Sequence, residues 1–160
     1  MKVEFKWAIY FSLMTLAWMV LEKITGLHGK YIDYHLYLTN LFIIPAVCFI
    51  VLALQDKRYT VYKGTMSYKK GLISGIFLSL FIALLSPLTQ YVISYIISPE
   101  YFPNVIKRSV EIGYYESQEE AEAIFNFKSY AINSTIFSFA FGVLTTAIAM
   151  LFIRSKQISD

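Results

Sequence analysis

The longest uncharged stretch of this chain constrains its fold more than any other feature. Residues 71–97 contain no Asp, Glu, Lys or Arg over 27 consecutive positions. A helix rises about 1.5 Å per residue, so roughly 20 apolar residues cross the ~30 Å hydrocarbon core of a bilayer. The stretch is therefore long enough to span a membrane, with residues to spare for tilt or for extension into the headgroup region.

Three further apolar stretches satisfy the same length rule. Together they predict four transmembrane helices over about residues 5–24, 36–54, 70–97 and 129–153. A 160-residue soluble protein has too little interior to bury four such helices. Hydrophobic residues make up 57% of the chain and charged residues only 16%, which excludes a disordered chain and argues against a soluble enzyme. The prediction is an all-α membrane protein with a single domain over residues 1–160.

Basic residues are divided unequally between the two sides of such a bundle. Nine of the 14 Lys and Arg residues lie on the side of both termini, in the first residues, in the loop at 55–70 and in a tail that includes Arg154 and Lys156. Because basic loops stay in the cytoplasm, both termini are predicted to be cytoplasmic. That side carries three acidic residues, Asp160 among them, against eight on the other. The basic charge therefore indicates an anionic lipid leaflet and not nucleic acid.

The loop between spans three and four, residues 98–128, is predicted to be helical and extracytoplasmic. A Ser-Pro-Glu sequence at 98–100 is typical of a helix start, with the serine as the cap. Ser117 and Glu120 have the spacing of a capping box. The helix that begins there is expected to run unbroken through Phe125 into span four.

The shorter loop between spans two and three is predicted to lie on the cytoplasmic side. Alternating β-prone residues flank Lys63 and Gly64, a pattern that favours a short hairpin. Ser67 offers a different role, as the cap of the third span.

Small residues recur at every fourth position in spans three and four. The series contains Gly71, Gly75 and Ser79 in span three and Ser138 and Gly142 in span four. Small side chains at this period form a groove that lets two helix backbones approach closely. We expect these five residues to make helix-packing contacts, either between spans three and four or across a dimer seam.

Polar side chains of the bundle concentrate near its extracytoplasmic side. They are Glu22, Asn40, Gln90 and Asn133 at the outer ends of the spans, and His28 and His35 in the first loop. Polar groups in a membrane are costly and usually face the bundle interior. Two interpretations follow: a vestibule that binds a small ligand, ion or lipid headgroup, or interhelical hydrogen bonds that lock the bundle.

The two histidines are also the residues most able to bind a metal. With Asp33 or Glu22, His28 and His35 offer nitrogen and oxygen ligands. Loop glycines interrupt the helix that would place them on one face, and the sequence has neither an HExxH motif nor a cysteine pair. We therefore predict no metal site, no cofactor and no catalytic residues.

Several short sequences occur along the chain in a characteristic order. They are Trp18-Met19, Leu21-Glu22-Lys23, Gly26-Leu27-His28, Asp56-Lys57-Arg58, the Gly71/Gly75 pair, Pro99-Glu100-Tyr101-Phe102 and Glu119-Glu120-Ala121. In this order they resemble a bacterial membrane-protein family known only as a domain of unknown function, family four-one-nine-nine. The resemblance covers nearly the whole chain and implies four helices in a bacterial inner membrane. It implies no activity and no site residues.

These features predict a non-enzymatic integral inner-membrane protein. Its expected role is that of a scaffold or partner-binding subunit, acting through the acidic outer loop and the grooved helices. The expected partners are the lipid bilayer and either a second copy of the chain or another membrane protein. One alternative is a small oligomeric transporter or channel subunit with an outer polar vestibule. Another is a lipid-modifying enzyme, which would need Glu22, His28 or His35 as acid–base groups.

Overall fold

The computed structural model describes residues 1–155, so Lys156 and Asp160 of the charge comparison lie outside the described residues. Within that range the chain is built from helices and contains no strand. The α-helices are α1 (Lys2–Ile24), α2 (Ile32–Leu38), α3 (Ile43–Thr60), α4 (Tyr68–Val92), α5 (Tyr101–Glu111), α6 (Gln118–Ile124) and α7 (Phe127–Ile153). A 3₁₀ turn, Thr39–Phe42, joins α2 to α3, and a π-helical turn, Ile93–Ile97, extends α4.

Four helical segments of the described chain are long and apolar enough to cross a membrane. They are Lys2–Ile24, Ile32–Thr60, Tyr68–Ile97 and Gln118–Ile153. The prediction of an all-α protein with four candidate spans is confirmed. Each segment is longer than its predicted apolar stretch because the helices continue into their polar flanks, where backbone hydrogen bonds remain favourable.

Helix α4 lies at the centre of the bundle. It packs along α7 on one side and along α1 on another, and it also contacts α3. Its most apolar window is 39% buried, against 17–22% for the other three candidate spans. The remaining large apolar side chains, such as Leu84, Ile136 and Phe152, are exposed on the outside of the bundle. Such a surface is suited to lipid and not to water.

Glycines allow α4 and α7 to approach closely in one half of their contact. A Cβ atom placed on Gly71 would collide with the side chain of Met150. One placed on Gly75 would collide with the side chain of Thr146. Because interiors are close-packed, neither position has room for a side chain.

The same contact continues toward the other end of the two helices. A Cβ atom placed on Gly142 would collide with the Ser79 side chain. Further along, the hydroxyl oxygens of Ser86 and Ser138 lie 3.2 Å apart. The structure thus places all five residues of the expected packing set where α4 meets α7 within one chain.

The loop between α3 and α4 differs from the predicted hairpin. Helix α3 continues to Thr60, and Val61 and Tyr62 lie in the turn that follows, so no strand precedes Lys63. The turn that follows contains Lys63 and Gly64 with φ of 50° and 89°. Ser67 then caps α4 by accepting a hydrogen bond from the Lys70 N–H at 3.4 Å. The hairpin prediction is wrong because an isolated two-stranded hairpin is marginally stable, whereas the flanking helices can lengthen.

Ser117 caps a helix in the long loop as predicted, accepting from the Glu120 N–H at 3.2 Å, but two other expectations for this loop differ. Helix α6 ends at Ile124, and α7 begins anew after Asn126, whose side chain accepts from the Ser129 N–H at 2.9 Å. The expected unbroken helix is therefore wrong, because this asparagine starts a second helix. Ser98 does not cap α5, which begins at Tyr101.

We predict that Gly142→Leu will destabilise the bundle by about 1–3 kcal/mol or more, because the new side chain has no space beside Ser79. The measurement is equilibrium unfolding in mixed micelles. Ala140→Leu, two residues away on the exposed face of α7, is the control and should change the free energy of unfolding by less than about 0.5 kcal/mol. Equal effects of the two substitutions would contradict the packing described here.

Candidate functional site

The two ends of the bundle carry different loops. One end, called here the long-loop end, is formed by residues 25–31 and 98–117. The other, called the terminal end, contains the first residues of α1, the loop at 61–67 and Arg154. Both ends contain buried charged groups, and they are described in turn.

Glu22, His28 and His35 form a cluster at the long-loop end, called here the polar cluster. Oε2 of Glu22 lies 3.1 Å from Nε2 of His28 and 3.4 Å from Nε2 of His35. The Trp18 indole N–H donates to Oε1 of the same carboxylate at 2.5 Å. Glu22 is 2% exposed and His28 3%, so these groups are buried although they lie near the end of a span.

The turn after α1 brings the two histidines together. Gly26, with φ of +84°, adopts the left-handed conformation that ends the helix, and its carbonyl accepts from the Tyr31 N–H at 2.9 Å. This turn folds His28 back beneath Glu22. Helix α2 starts immediately afterwards and presents His35 to the same carboxylate. The histidines therefore meet across a turn and not along one helix.

Contacts to α5 hold this turn in place. The Asn104 amide donates to the His28 carbonyl at 2.9 Å. The Arg108 guanidinium donates to both carboxylate oxygens of Asp33, at 2.7 and 2.9 Å. This bidentate pairing raises the pKa of Arg108 above its ordinary value. The first loop is thus fixed to the long loop at two points.

A second hydrogen-bond chain starts from the other ring nitrogen of His28. Its Nδ1 lies 2.8 Å from Oγ of Ser98, which is 1% exposed and lies 3.3 Å from Oε1 of Glu100. The Lys23 ammonium lies 3.4 Å from the same Glu100 oxygen and also donates to the Ile97 carbonyl. Burial raises the pKa of Glu100, but its own backbone N–H and the charge of Lys23 outweigh burial and hold that pKa below its usual value.

Aromatic rings enclose the imidazoles. The Tyr101 ring centroid lies 5.1 Å from that of His28 and 5.0 Å from that of His35. The Tyr101 and Tyr130 hydroxyl oxygens lie 3.3 Å apart. Burial, reinforced by the neighbouring Tyr130, raises the pKa of Tyr101, so this hydroxyl stays protonated at physiological pH.

A cavity of about 200 Å³ lies beside the polar cluster. Its polar lining includes His28, His35, Gln90, Ser94 and Ser98. The Gln90 amide donates to the Ser94 hydroxyl at 2.9 Å, and both side chains are buried. The cavity is thus lined by hydroxyl, amide and imidazole groups that can bind a polar ligand.

A second cavity, of about 190 Å³, lies deeper between α1, α3, α4 and α7. It shares Thr15, Gln90 and Ile93 with the first cavity, and serines 86, 134 and 138 also line it. Toward the terminal end, the close contact of α4 with α7 fills the space between these helices. Both cavities therefore lie in the part of the bundle nearer the long-loop end.

The structure brings together four of the six residues predicted for a vestibule. Glu22, His28 and His35 form the polar cluster, and Gln90 lines its cavity. Asn40 is exposed, and its amide donates to the Leu36 carbonyl one turn earlier at 2.7 Å. Asn133 is exposed on α7. These two asparagines share the depth of the cluster but face away from it.

A buried charged group at the terminal end is absent from the sequence-based prediction. Glu4 and Lys57 are 4% and 7% exposed, and their charged atoms lie 2.8 Å apart. The Ser74 hydroxyl donates to the same Glu4 oxygen at 2.7 Å. Charged residues near helix ends are usually solvated, so the sequence alone places Glu4 and Lys57 among the exposed residues that flank the spans. One signal in the sequence could have identified the buried position of Glu4: its helical spacing places it on the same buried face of α1 as Ala8 and Phe11.

The fold and this geometry define a class: a multi-pass, helical membrane protein with a buried polar cluster at one end. Residues 6–155 match the family described as "Protein of unknown function (DUF4199)", and the chain belongs to this family. The resemblance seen in the sequence is thereby confirmed. No curated protein and no solved structure matches the chain.

We predict that Lys57→Met will destabilise the protein by up to about 3–5 kcal/mol, because it removes the buried cation of the Glu4 carboxylate and leaves only the exposed N-terminal ammonium, 3.0 Å from the other carboxylate oxygen. The measurement is equilibrium unfolding in micelles. Adding Glu4→Gln should recover part of that loss, since no buried charge then remains unpaired.

Lys6→Met is the control for this experiment. Lys6 also pairs with a carboxylate, that of Asp56 at 2.6 Å, but its side chain is 46% exposed. Its loss should cost no more than about 1 kcal/mol. A Lys57→Met variant as stable as Lys6→Met would show that the buried pair does not support the fold.

Proposed function

We propose that this protein is a non-enzymatic, multi-pass protein of a bacterial inner membrane with both termini in the cytoplasm. It binds a small polar ligand or ion, which enters from the extracytoplasmic side, in the cavity beside the polar cluster. The observation that supports this proposal most is the group of buried Glu22 and His28 and half-buried His35, which lies beside a cavity with several polar lining residues at one end of the bundle. The excess of basic residues at the terminal end supports the orientation.

The cavity favours binding over a purely structural role for these groups. A polar group removed from water costs free energy unless it is fully paired, and a structural cluster gains most when its groups are packed against one another. Here about 200 Å³ remains open beside both imidazoles, enough for several water molecules or a small ligand. The buried amide of Gln90 adds a hydrogen-bonding group to the same space.

The same geometry disfavours a transport path through one chain. Both cavities lie nearer the long-loop end, and the close contacts at Gly75 and Gly71 oppose their extension toward the terminal end. A transporter or channel, the alternative function, would therefore need to form its path between copies of the chain.

A partner-binding or scaffold role is a second candidate, favoured by a different observation. Helices α5 and α6 form a groove of about 640 Å³ at the surface of the long-loop end. Apolar Phe102, Ile106 and Val110 line it together with charged Lys107 and Glu111. Protein interfaces combine an apolar core with a polar rim, and this groove offers both kinds of side chain.

We predict that a cysteine at position 90 will react with a membrane-impermeant maleimide added outside intact cells. The experiment uses Gln90→Cys in a Cys48→Ala background, so that the introduced thiol is the one that reacts. Labelling is expected because the proposed vestibule is open to water on the extracytoplasmic side.

Leu88→Cys is the matched control, since Leu88 lies on the same helix two residues away and is 63% exposed on the lipid-facing surface. A thiol in hydrocarbon does not ionise, and we expect no labelling there. Glu111→Cys and Thr65→Cys report the orientation, with only the former labelled from outside. If Gln90→Cys reacts as little as Leu88→Cys does, the proposed vestibule is refuted. If Thr65→Cys is labelled from outside, the orientation of the chain in the membrane is the reverse of the one proposed.

The scaffold role predicts specific crosslinks from the groove. A photoreactive amino acid at Ile106 should give one protein adduct of defined mass in native membranes. The same group at Phe152, which is 83% exposed to lipid, is the control and should give none. Recovery of only the uncrosslinked chain from the Ile106 variant would count against this role.

A further inference from the structure

We propose that Glu22, His28 and His35 bind one divalent transition-metal ion, for which Zn²⁺ is the best match. This inference rests on the proposed function, because it names the ion that the vestibule takes. One ligand atom from each residue lies within 4.8 Å of the other two. It departs from the sequence-based expectation, which counts Gly26 and Gly29, on either side of His28, as evidence against a metal site.

The distances within the cluster are close to those of a tetrahedral metal site. Zn²⁺ binds imidazole nitrogen and carboxylate oxygen at about 2.0–2.1 Å, which places tetrahedral ligands about 3.3 Å from one another. The Glu22 oxygen lies 3.1 Å from the His28 nitrogen and 3.4 Å from the His35 nitrogen. The separation between the two imidazole nitrogens needs to close by at most about 1.5 Å, which side-chain rotation can supply.

The hydrogen-bond chain behind His28 prepares that ring to bind a cation. Ser98 has one hydroxyl hydrogen, and its oxygen lies near both the Glu100 carboxylate and Nδ1 of His28. When Ser98 donates to Glu100, Nδ1–H of His28 donates to Ser98, and the lone pair of Nε2 points at the Glu22 carboxylate. In this tautomer, a cation takes the place of the proton that otherwise bridges Nε2 of His28 and the Glu22 oxygen, which lie 3.1 Å apart. A carboxylate-linked partner on the second nitrogen is the usual outer shell of metal-binding histidines.

The donor set and its surroundings select the kind of ion. Two imidazoles and one carboxylate suit Zn²⁺ and similar first-row ions, whereas Mg²⁺ and Ca²⁺ prefer oxygen ligands. The single cysteine, Cys48, is exposed elsewhere, so no thiolate favours Cu⁺. Three protein ligands leave the fourth position open. The cavity lined by Gln90 and Ser94 supplies room there for water or for a polar group of a ligand.

Metal binding can be measured directly on the full-length protein. The protein, purified in detergent without a histidine tag and stripped with a chelator, is titrated with Zn²⁺ against a chromophoric chelator. We expect one ion per chain, and Co²⁺ in its place should give the intense visible absorption of a tetrahedral site. A chain that binds neither ion overturns the proposal.

Isosteric variants test the ligands. A change in the outer shell of a metal site typically weakens metal binding roughly 10–100-fold, and we expect Ser98→Ala to fall within that range. The loss should be larger for each substitution of a proposed ligand, namely Glu22→Gln, His28→Gln and His35→Gln. Glu111→Gln, an exposed carboxylate at the same end, is the matched control and should bind as the wild type does. Unchanged affinity in Glu22→Gln would exclude this carboxylate as a ligand and overturn the site.

A chemical test on the wild-type chain does not depend on the folding of any variant. The chain has two histidines, and both belong to the proposed site. Zn²⁺ should protect both from diethylpyrocarbonate, as measured by mass spectrometry. Modification at the same rate with and without Zn²⁺ would overturn the proposal even where the variants fail to fold.

The outcomes separate this inference from the proposed function. If Gln90→Cys reacts from outside but Zn²⁺ does not bind, the vestibule stands and the metal assignment fails. If Zn²⁺ binds but Gln90→Cys is protected, the metal site stands and entry through an open vestibule fails.

Discussion

In hydrocarbon, a polar side chain must find its partner inside the protein, and this requirement organises both ends of the bundle. At the terminal end, Glu4 pairs with Lys57 across α1 and α3. At the long-loop end, Glu22 pairs with two histidines that the chain folds back toward α1. In each case one carboxylate of α1 gathers groups from other segments. Helix α1 is therefore held at both ends by charge and in its middle by apolar packing against α4.

The central pair of helices has two different halves. Near the terminal end, Gly71 and Gly75 bring α4 against α7 so closely that no added side chain fits. Near the long-loop end, the small residues are serines such as Ser86 and Ser138, which hydrogen-bond across a wider gap beside a cavity. Glycine has no side chain and lets the two backbones approach, whereas serine occupies part of the space between the helices and places a hydroxyl group there. The same four-residue period thus produces a close backbone contact in one half and a looser contact beside a cavity in the other.

The spans and their packing could be predicted because they depend on the length of the apolar stretches and on the spacing of small residues. Both can be counted in the sequence. The site could be predicted only in part, because depth in the membrane does not determine which way a side chain faces. Gln90 and Asn133 occupy similar depths, but one lines the cavity and the other faces outward. Gly26 and Gly29, on either side of His28, have two opposite effects. They interrupt the helix that would carry both histidines on one face, yet the left-handed turn at Gly26 is what brings the histidines to Glu22.

The position of the polar cluster near one end of the bundle fits binding better than translocation. A charged ligand at the bilayer centre pays a large desolvation cost, which carriers offset with partners at that depth. Glu22 lies in the last turn of α1, where a ligand can enter from water without crossing the hydrocarbon core. Burial there still lowers the local dielectric constant, so a cation gains more from the carboxylate than it would at an exposed site. The proposed site would thus combine a position near the membrane surface with the electrostatic strength of a buried one.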